Sequence, residues 1–148
     1  MKISGSYTVP LPREKAYSAL QDPAVLAKCM PGTDHLEKIG EDEYRMKMKM
    51  ALAALSGAFD GKVAIKDKYP PESFRLDVQG TGKLGFMNGG GLLRLTAQGE
   101  SSTEVAYDGD VNTGGAIAAV GQRLLDATAR MMIKKFFESL AVEAGAGS

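Results

Sequence analysis

The stretch 115–140 reads GAIAAVGQRLLDATARMMIKKFFESL, and its reading decides the fold. Ile117, Val120, Leu124, Ala127/Thr128, Met131 and Phe136 recur at steps of three to five. That spacing paints one helix face apolar and predicts one long helix over 115–140. The chain holds no second helical pattern of similar length that could cover this face, so it must lie on a sheet. A helix gripped by a curved antiparallel sheet leaves a space between the two, and that space is the first candidate for a functional site.

Working outward, the pattern upstream is mostly of period two. Residues 2–9 alternate, with Ile3, Tyr7 and Val9 on one side and Lys2, Ser4, Ser6 and Thr8 on the other, which is the mark of a half-buried strand. Pro10 and Pro12 end it. A short helix over 13–20 turns Ala16, Tyr17 and Leu20 inward. A second short helix runs to about Lys28, with Asp22 as N-cap and Pro23 at the first helical position, a favoured start. Six strands follow, over 36–39, 43–50, 56–69, 73–80, 85–98 and 103–113. In the second of these, Tyr44, Met46, Met48 and Met50 oppose Arg45, Lys47 and Lys49. The run Phe86-Met-Asn-Gly-Gly-Gly91 is expected to bend or bulge its strand.

The fold class is therefore α+β: a helix-grip domain, with a seven-stranded curved antiparallel sheet around a long C-terminal helix and two short helices after the first strand. Seven strands at about 4.8 Å make a sheet roughly 30 Å wide. A 25-residue helix rising about 1.5 Å per residue is near 38 Å long, enough to cross it. A single domain over 1–143 and a flexible tail over 144–148 are expected.

Composition narrows the function. Eighteen basic and eighteen acidic residues cancel, and the pI is near 6.6, so no electrostatic case exists for nucleic acid. Cys29 is the only cysteine and His35 the only histidine. No internal disulfide, cysteine cluster or histidine metal site can form, and no metal or cofactor is expected. Cys29 sits at a helix C-terminus, which does not favour a thiolate, and reads as a packing residue. The carboxylates Glu41, Asp42 and Glu43 read as a solvated turn, and Asp108 and Asp110 as the polar face of a strand. The glycine run 89–91 lacks the Lys-Ser or Lys-Thr of a phosphate loop. The N-terminus lacks the apolar stretch of a signal peptide, and no stretch is long and apolar enough to span a bilayer. A cytoplasmic protein is expected.

What remains is a lining of methionine and aromatic side chains. Met46, Met48, Met50, Phe59, Phe74, Leu76, Phe86 and Tyr107 from the sheet are expected to face Leu124, Thr128, Met131 and Met132 from the helix. Such a stripe is usually plain core. Methionine is also flexible and polarisable, which suits a cavity that receives an irregular apolar guest. No catalytic residue is assigned.

Several motifs carry a family resemblance. They are Leu26-Ala-Lys-Cys-Met-Pro-Gly32, Phe59-Asp-Gly-Lys-Val63, Pro70-Pro-Glu-Ser-Phe74, Gly85-Phe86, and Gly114-Gly-Ala-Ile-Ala-Ala-Val-Gly-Gln-Arg-Leu-Leu125 with Phe136-Phe137 downstream. In order and spacing they resemble the G subunit of carbon monoxide dehydrogenase, of the START/Bet v 1-like superfamily, from Met1 to about Leu140. Two departures stand out. Thr33 follows the Pro-Gly turn where the family often has cysteine or a small polar residue. The chain also stops at Ser148, without the long membrane-attaching extension of many members. The resemblance implies a non-catalytic accessory of a molybdenum hydroxylase, holding a lipid, isoprenoid or quinone, and at most peripheral to the inner membrane through its partner. Two alternatives stay open: a small enzyme of the polyketide cyclase type, and an interaction module without ligand that docks through a basic outer sheet face.

Overall fold

The structure is a computed structural model that describes residues 1–30, 32–52 and 55–146, without the side chains of residues 34, 35, 50–52, 55 and 144–146. The expected Met50 and His35 side chains thus lie outside the described residues, as do Gly147 and Ser148. The chain runs β1 (Lys2–Val9), α1 (Arg13–Ala19), α2 (Pro23–Cys29), β2 (Thr33–Gly40), β3 (Glu43–Leu52), β4 (Leu55–Tyr69), β5 (Ser73–Gly82), β6 (Gly85–Ala97), β7 (Thr103–Gly114), α3 (Ala116–Ala119) and α4 (Gln122–Ala146).

The strands form one antiparallel sheet in the order β1-β7-β6-β5-β4-β3-β2. Strands β2 to β7 are sequential neighbours, a meander built from hairpins. Strand β1 pairs with β7, so α1 and α2 carry the chain from one edge of the sheet to the other. Asp22 caps α2 as its sequence predicts: the carboxylate accepts the Ala24 N–H at 2.9 Å, and Pro23 takes the first turn.

Alternation decides which face is buried. Met46, Met48, Phe59, Val63, Ile65, Phe74, Leu93, Leu95 and Val105 share the concave face and are buried. Ala16, Tyr17 and Leu20 of the α1 region close over one end. The Tyr17 ring meets Phe74 edge-on at 5.5 Å, and its hydroxyl donates to the Ser73 carbonyl at 3.0 Å.

Two local expectations are corrected. The helix over 115–140 is broken into α3 and α4 because Gly121 adopts a φ of 99°, and Gly115, at φ 71°, precedes α3 as its N-cap. A right-handed helix cannot pass through such a conformation, and glycine reaches it without steric cost. The break also reveals which of two apolar stripes is buried. Leu125, Ala129, Met132, Ile133, Phe136, Phe137 and Leu140 turn inward, while Leu124 and Met131 are 36% and 47% exposed. The inward stripe is longer and carries both phenylalanines, so burying it removes more apolar surface from water. The second correction concerns β6. It pairs with β5 and β7 without a register shift through Gly89, Gly90 and Gly91, so these glycines make no bulge. Register shifts occur instead in β2, beside Leu36 and Lys38, and between Lys66 and Tyr69.

Thr103 is the one buried polar residue among those described, and its hydroxyl donates to the Leu11 carbonyl at 2.7 Å. It ties the link after β1 to the start of β7. Thr103→Val keeps the shape but strands that carbonyl, at an expected loss of about 1–3 kcal/mol in urea unfolding. An unchanged midpoint would show that the bond contributes nothing.

Candidate functional site

An apolar cavity of about 250 Å³ lies between the sheet and α4. Its roof is Met132, Ile133, Phe136 and Phe137 of α4. Leu26 from α2 and Met30 at its C-cap, with Met48 and Val63 from β3 and β4, make one wall. Leu76 and Val78 of β5 and Leu93 of β6 continue the sheet side, and Ile3, Tyr107 and Val111 close it towards β1.

Glycines form its floor. Gly89 and Gly91 of β6 and Gly109 of β7 occupy concave-face positions between Leu76, Val78, Val111 and Tyr107. A side chain at each would fill the gap that now stands open. Gly91 and Gly109 are cross-strand partners and their backbones crowd: a Cβ on Gly91 would lie 2.9 Å from the Asp108 carbonyl oxygen and 3.1 Å from the Gly109 Cα. Gly89 is different. A Cβ there would meet only the Asp110 oxygen and Val111 at 3.7 Å, ordinary contact.

The helix is seated at one end of the cavity. Phe137 stacks on Tyr7 at 4.8 Å and lies 6.4 Å from Tyr107, with ring planes within 19° of parallel. Tyr107 lies flat over its cross-strand partner Gly5, where a Cβ would come within 2.9 Å of the ring carbon bearing the hydroxyl. Burial raises the Tyr107 phenol above its ordinary pKa, Tyr7 adds to the rise, and Arg130 opposes it. Arg130 itself is raised through its hydrogen bond to Asp126, 2.9 Å away one helical turn back.

Of the residues singled out by sequence, the cavity brings together Met48, Leu76, Tyr107 and Met132. Met46, Phe59 and Phe74 are buried in the same concave face but do not line it. Phe86 points to the convex face, where its ring covers Gly114. Leu124 and Met131 face outward, and half-buried Thr128 stays off the lining. Sequence reasoning missed the α2 wall, the Ile133-Phe136-Phe137 roof and the glycine floor. The paired phenylalanines were a usable signal for the roof; a floor made by absent side chains leaves no hydrophobic pattern.

Chemically the lining offers one hydroxyl, that of Tyr107. Asp108 and Asp110 contribute to its edge, but alternation along β7 turns their side chains to the convex face. Among the described residues no three His, Cys, Asp or Glu side chains converge to hold a metal. Cys29 is buried, and burial, with Glu143 nearby, raises its thiol pKa, so it stays protonated and packs. No described helix is long and apolar enough to cross a membrane.

Comparison with known proteins places this architecture. The family model for the G subunit of carbon monoxide dehydrogenase (CoxG) matches residues 5–145. The chain belongs to the CoxG family. A conserved protein from Geobacillus kaustophilus is similar over 99% of this chain and 96% of its own, with 34% identity and a TM-score of 0.93. A START superfamily protein from Mycobacterium smegmatis is 13% identical, covers 99% of both chains and has a TM-score of 0.74. The Zhui aromatase/cyclase from Streptomyces sp. R1128 is 15% identical, with a TM-score of 0.70 over 98% of this chain and 93% of its own. These last two show the helix-grip fold alone. No curated protein matches the chain. In this CoxG-family chain some of the motifs reach the cavity, with Leu26 and Met30 on the α2 wall, Val63 beside them and Phe136 and Phe137 in the roof, while the 70–74, 85–86 and 114–125 motifs supply no lining residue.

The glycine floor predicts opposite outcomes for two similar changes. Gly89→Val supplies a β-branched side chain without a clash, and unfolding midpoints should show a gain of about 0.5–1 kcal/mol from the lost glycine entropy. Gly91→Val must displace a neighbouring backbone and should lose stability. Equal effects at both positions would contradict the geometry.

Tyr107 gives a pH signature. Its folded pKa lies above the ordinary value of 10.0. The folded state therefore keeps a proton that the unfolded chain releases, and this stability is present below pH 10 and lost as pH rises through the folded value. In an alkaline absorbance titration, Tyr107→Phe should remove a late-ionising tyrosine and flatten the fall in stability above pH 10.

Proposed function

We propose that this chain is a non-catalytic accessory of a carbon monoxide dehydrogenase-type molybdenum hydroxylase, and that it holds an apolar molecule (a lipid, isoprenoid or quinone) between α4 and the sheet. The observation that carries this reading is the glycine floor. At about 24 cal/mol per Å³, leaving 250 Å³ of apolar space unfilled costs at most on the order of 6 kcal/mol. That is comparable to the whole stability of many domains. At Gly89 a single β-branched residue would fit, yet glycine stands there. A space kept open at such cost fits a guest better than it fits a core.

The lining supports a binding role over catalysis. Apolar burial supplies affinity at about 25 cal/mol per Å². The Tyr107 hydroxyl is suited to orient one polar end. The cavity is somewhat smaller than most ligand pockets, so it suits the head or one segment of an elongated molecule. The remainder would leave beside the exposed first half of α4. The family points to the hydroxylase as the partner, whose cofactors would sit in other chains.

The test is organic extraction of the purified protein with mass spectrometry, followed by titration with a short-chain quinone analogue and with a fatty acid. A co-purifying apolar molecule, or saturable binding of either probe, is expected. Gly89→Leu should remain folded and bind at least about tenfold more weakly, since its side chain occupies the guest's volume. A clean extract together with no binding of either probe would sink the proposal.

A further inference from the structure

The convex face of the sheet carries a cluster of cations that close no salt bridge within the chain among the described residues. Arg45, Lys47 and Lys49 alternate along β3 and are exposed. Lys62 of β4 is the cross-strand partner of Arg45 on the same face. Like charges directly opposite each other weaken a sheet. Among the described residues, none of these four forms a salt bridge, whereas other cations of the face do. Lys66 and Arg75 both reach Asp77, at 3.2 and 3.1 Å, and Lys68 reaches Asp42 at 2.8 Å. The chain as a whole is neutral, so the patch is not the by-product of a basic protein.

Three carboxylates interrupt it, and one of them is Glu43, which shares the exposed face of β3 with Arg45. Glu37 of β2 faces Arg45, and Asp60 of β4 faces Lys47, both exposed. This pattern decides between occupants. A uniformly anionic surface, lipid or nucleic acid, would gain from four cations but meet three carboxylates among them. A folded protein can place acids against the cations and bases or amides against Glu37, Glu43 and Asp60. We infer that the β3–β4 convex face is the docking surface for a protein partner with an acidic contact patch. Its carboxylates would match cations spaced about 7 Å apart, the two-residue repeat of a strand. The cavity opens on the other side of the sheet, so docking here leaves it accessible.

The probe is the purified molybdenum hydroxylase of the same cell, immobilised and titrated with this protein; that choice rests on the accessory role proposed above. Wild-type binding is expected to weaken about tenfold or more as salt rises from low to well above physiological strength. Arg45→Glu with Lys47→Glu and Lys62→Glu should bind at least about tenfold more weakly, mainly through slower association. The neutral pair Arg45→Gln with Lys62→Gln should show a smaller loss and guards against misfolding, and Lys83→Glu, away from the patch, should bind as wild type. Equal binding by wild type and the triple variant would overturn the inference, and so would no wild-type binding at low salt. Two further results would reassign the surface and overturn it as well: capture on phosphatidylserine vesicles or heparin that the triple variant abolishes, or concentration-dependent dimerisation by light scattering that it abolishes. Failure here leaves the cavity reading intact if the extraction and titration succeed; failure of those leaves the docking result to stand alone.

Discussion

The stacking of Phe137 on Tyr7, with Tyr107 beside both rings, is the contact on which the rest of the site depends. It fixes the second half of α4 to the β1–β7 side of the sheet, while α2 packs between α4 and β2 at the opposite edge. With the helix held there, its height above the middle of the sheet is set. What happens beneath it then depends on the side chains of the floor. Over most of the concave face those side chains are large and meet the helix or α1. At Gly89, Gly91 and Gly109 they are missing, and the cavity follows.

The same glycines have a second consequence. Where Gly91 faces Gly109, the two backbones approach too closely for any other residue. The sheet's local shape and the cavity's depth thus come from one set of positions and cannot be tuned separately. Gly89 is the exception, free of that crowding, and is the position where the pocket can be altered without altering the sheet.

Much of this architecture was legible in the sequence because its signals are local. Strict alternation in Tyr44-Arg45-Met46-Lys47-Met48 marks both the strand and its buried face. Asp22-Pro23 marks the start of α2, and Pro70-Pro71 the end of β4. The fold class and the family resemblance followed from such signals. The site was less legible. Helical periodicity does not fix phase when two apolar stripes compete on one helix, and the stripe through Leu124 and Met131 proved to face outward. The positive φ at Gly121 could not be read from the spacing, so the helix looked continuous. For Phe86 the spacing of a strand was clear but its inner face was not, because the glycines beside it carry no polarity to read. The cavity itself is a long-range outcome of α2, β1 and α4 meeting, which no local pattern records.

Gly121 gives the molecule a mechanical division. The first turns of α4 are largely exposed and joined through this single glycine to the short α3, which Ile117 anchors by its burial and by its N–H bond to the Leu84 carbonyl. The later turns belong to the folded core. The helix is therefore a beam clamped at one end and pinned by a swivel at the other. Neither the β-ladder nor the aromatic clamp runs through its exposed half, so that part of the chain contributes little to keeping the protein folded.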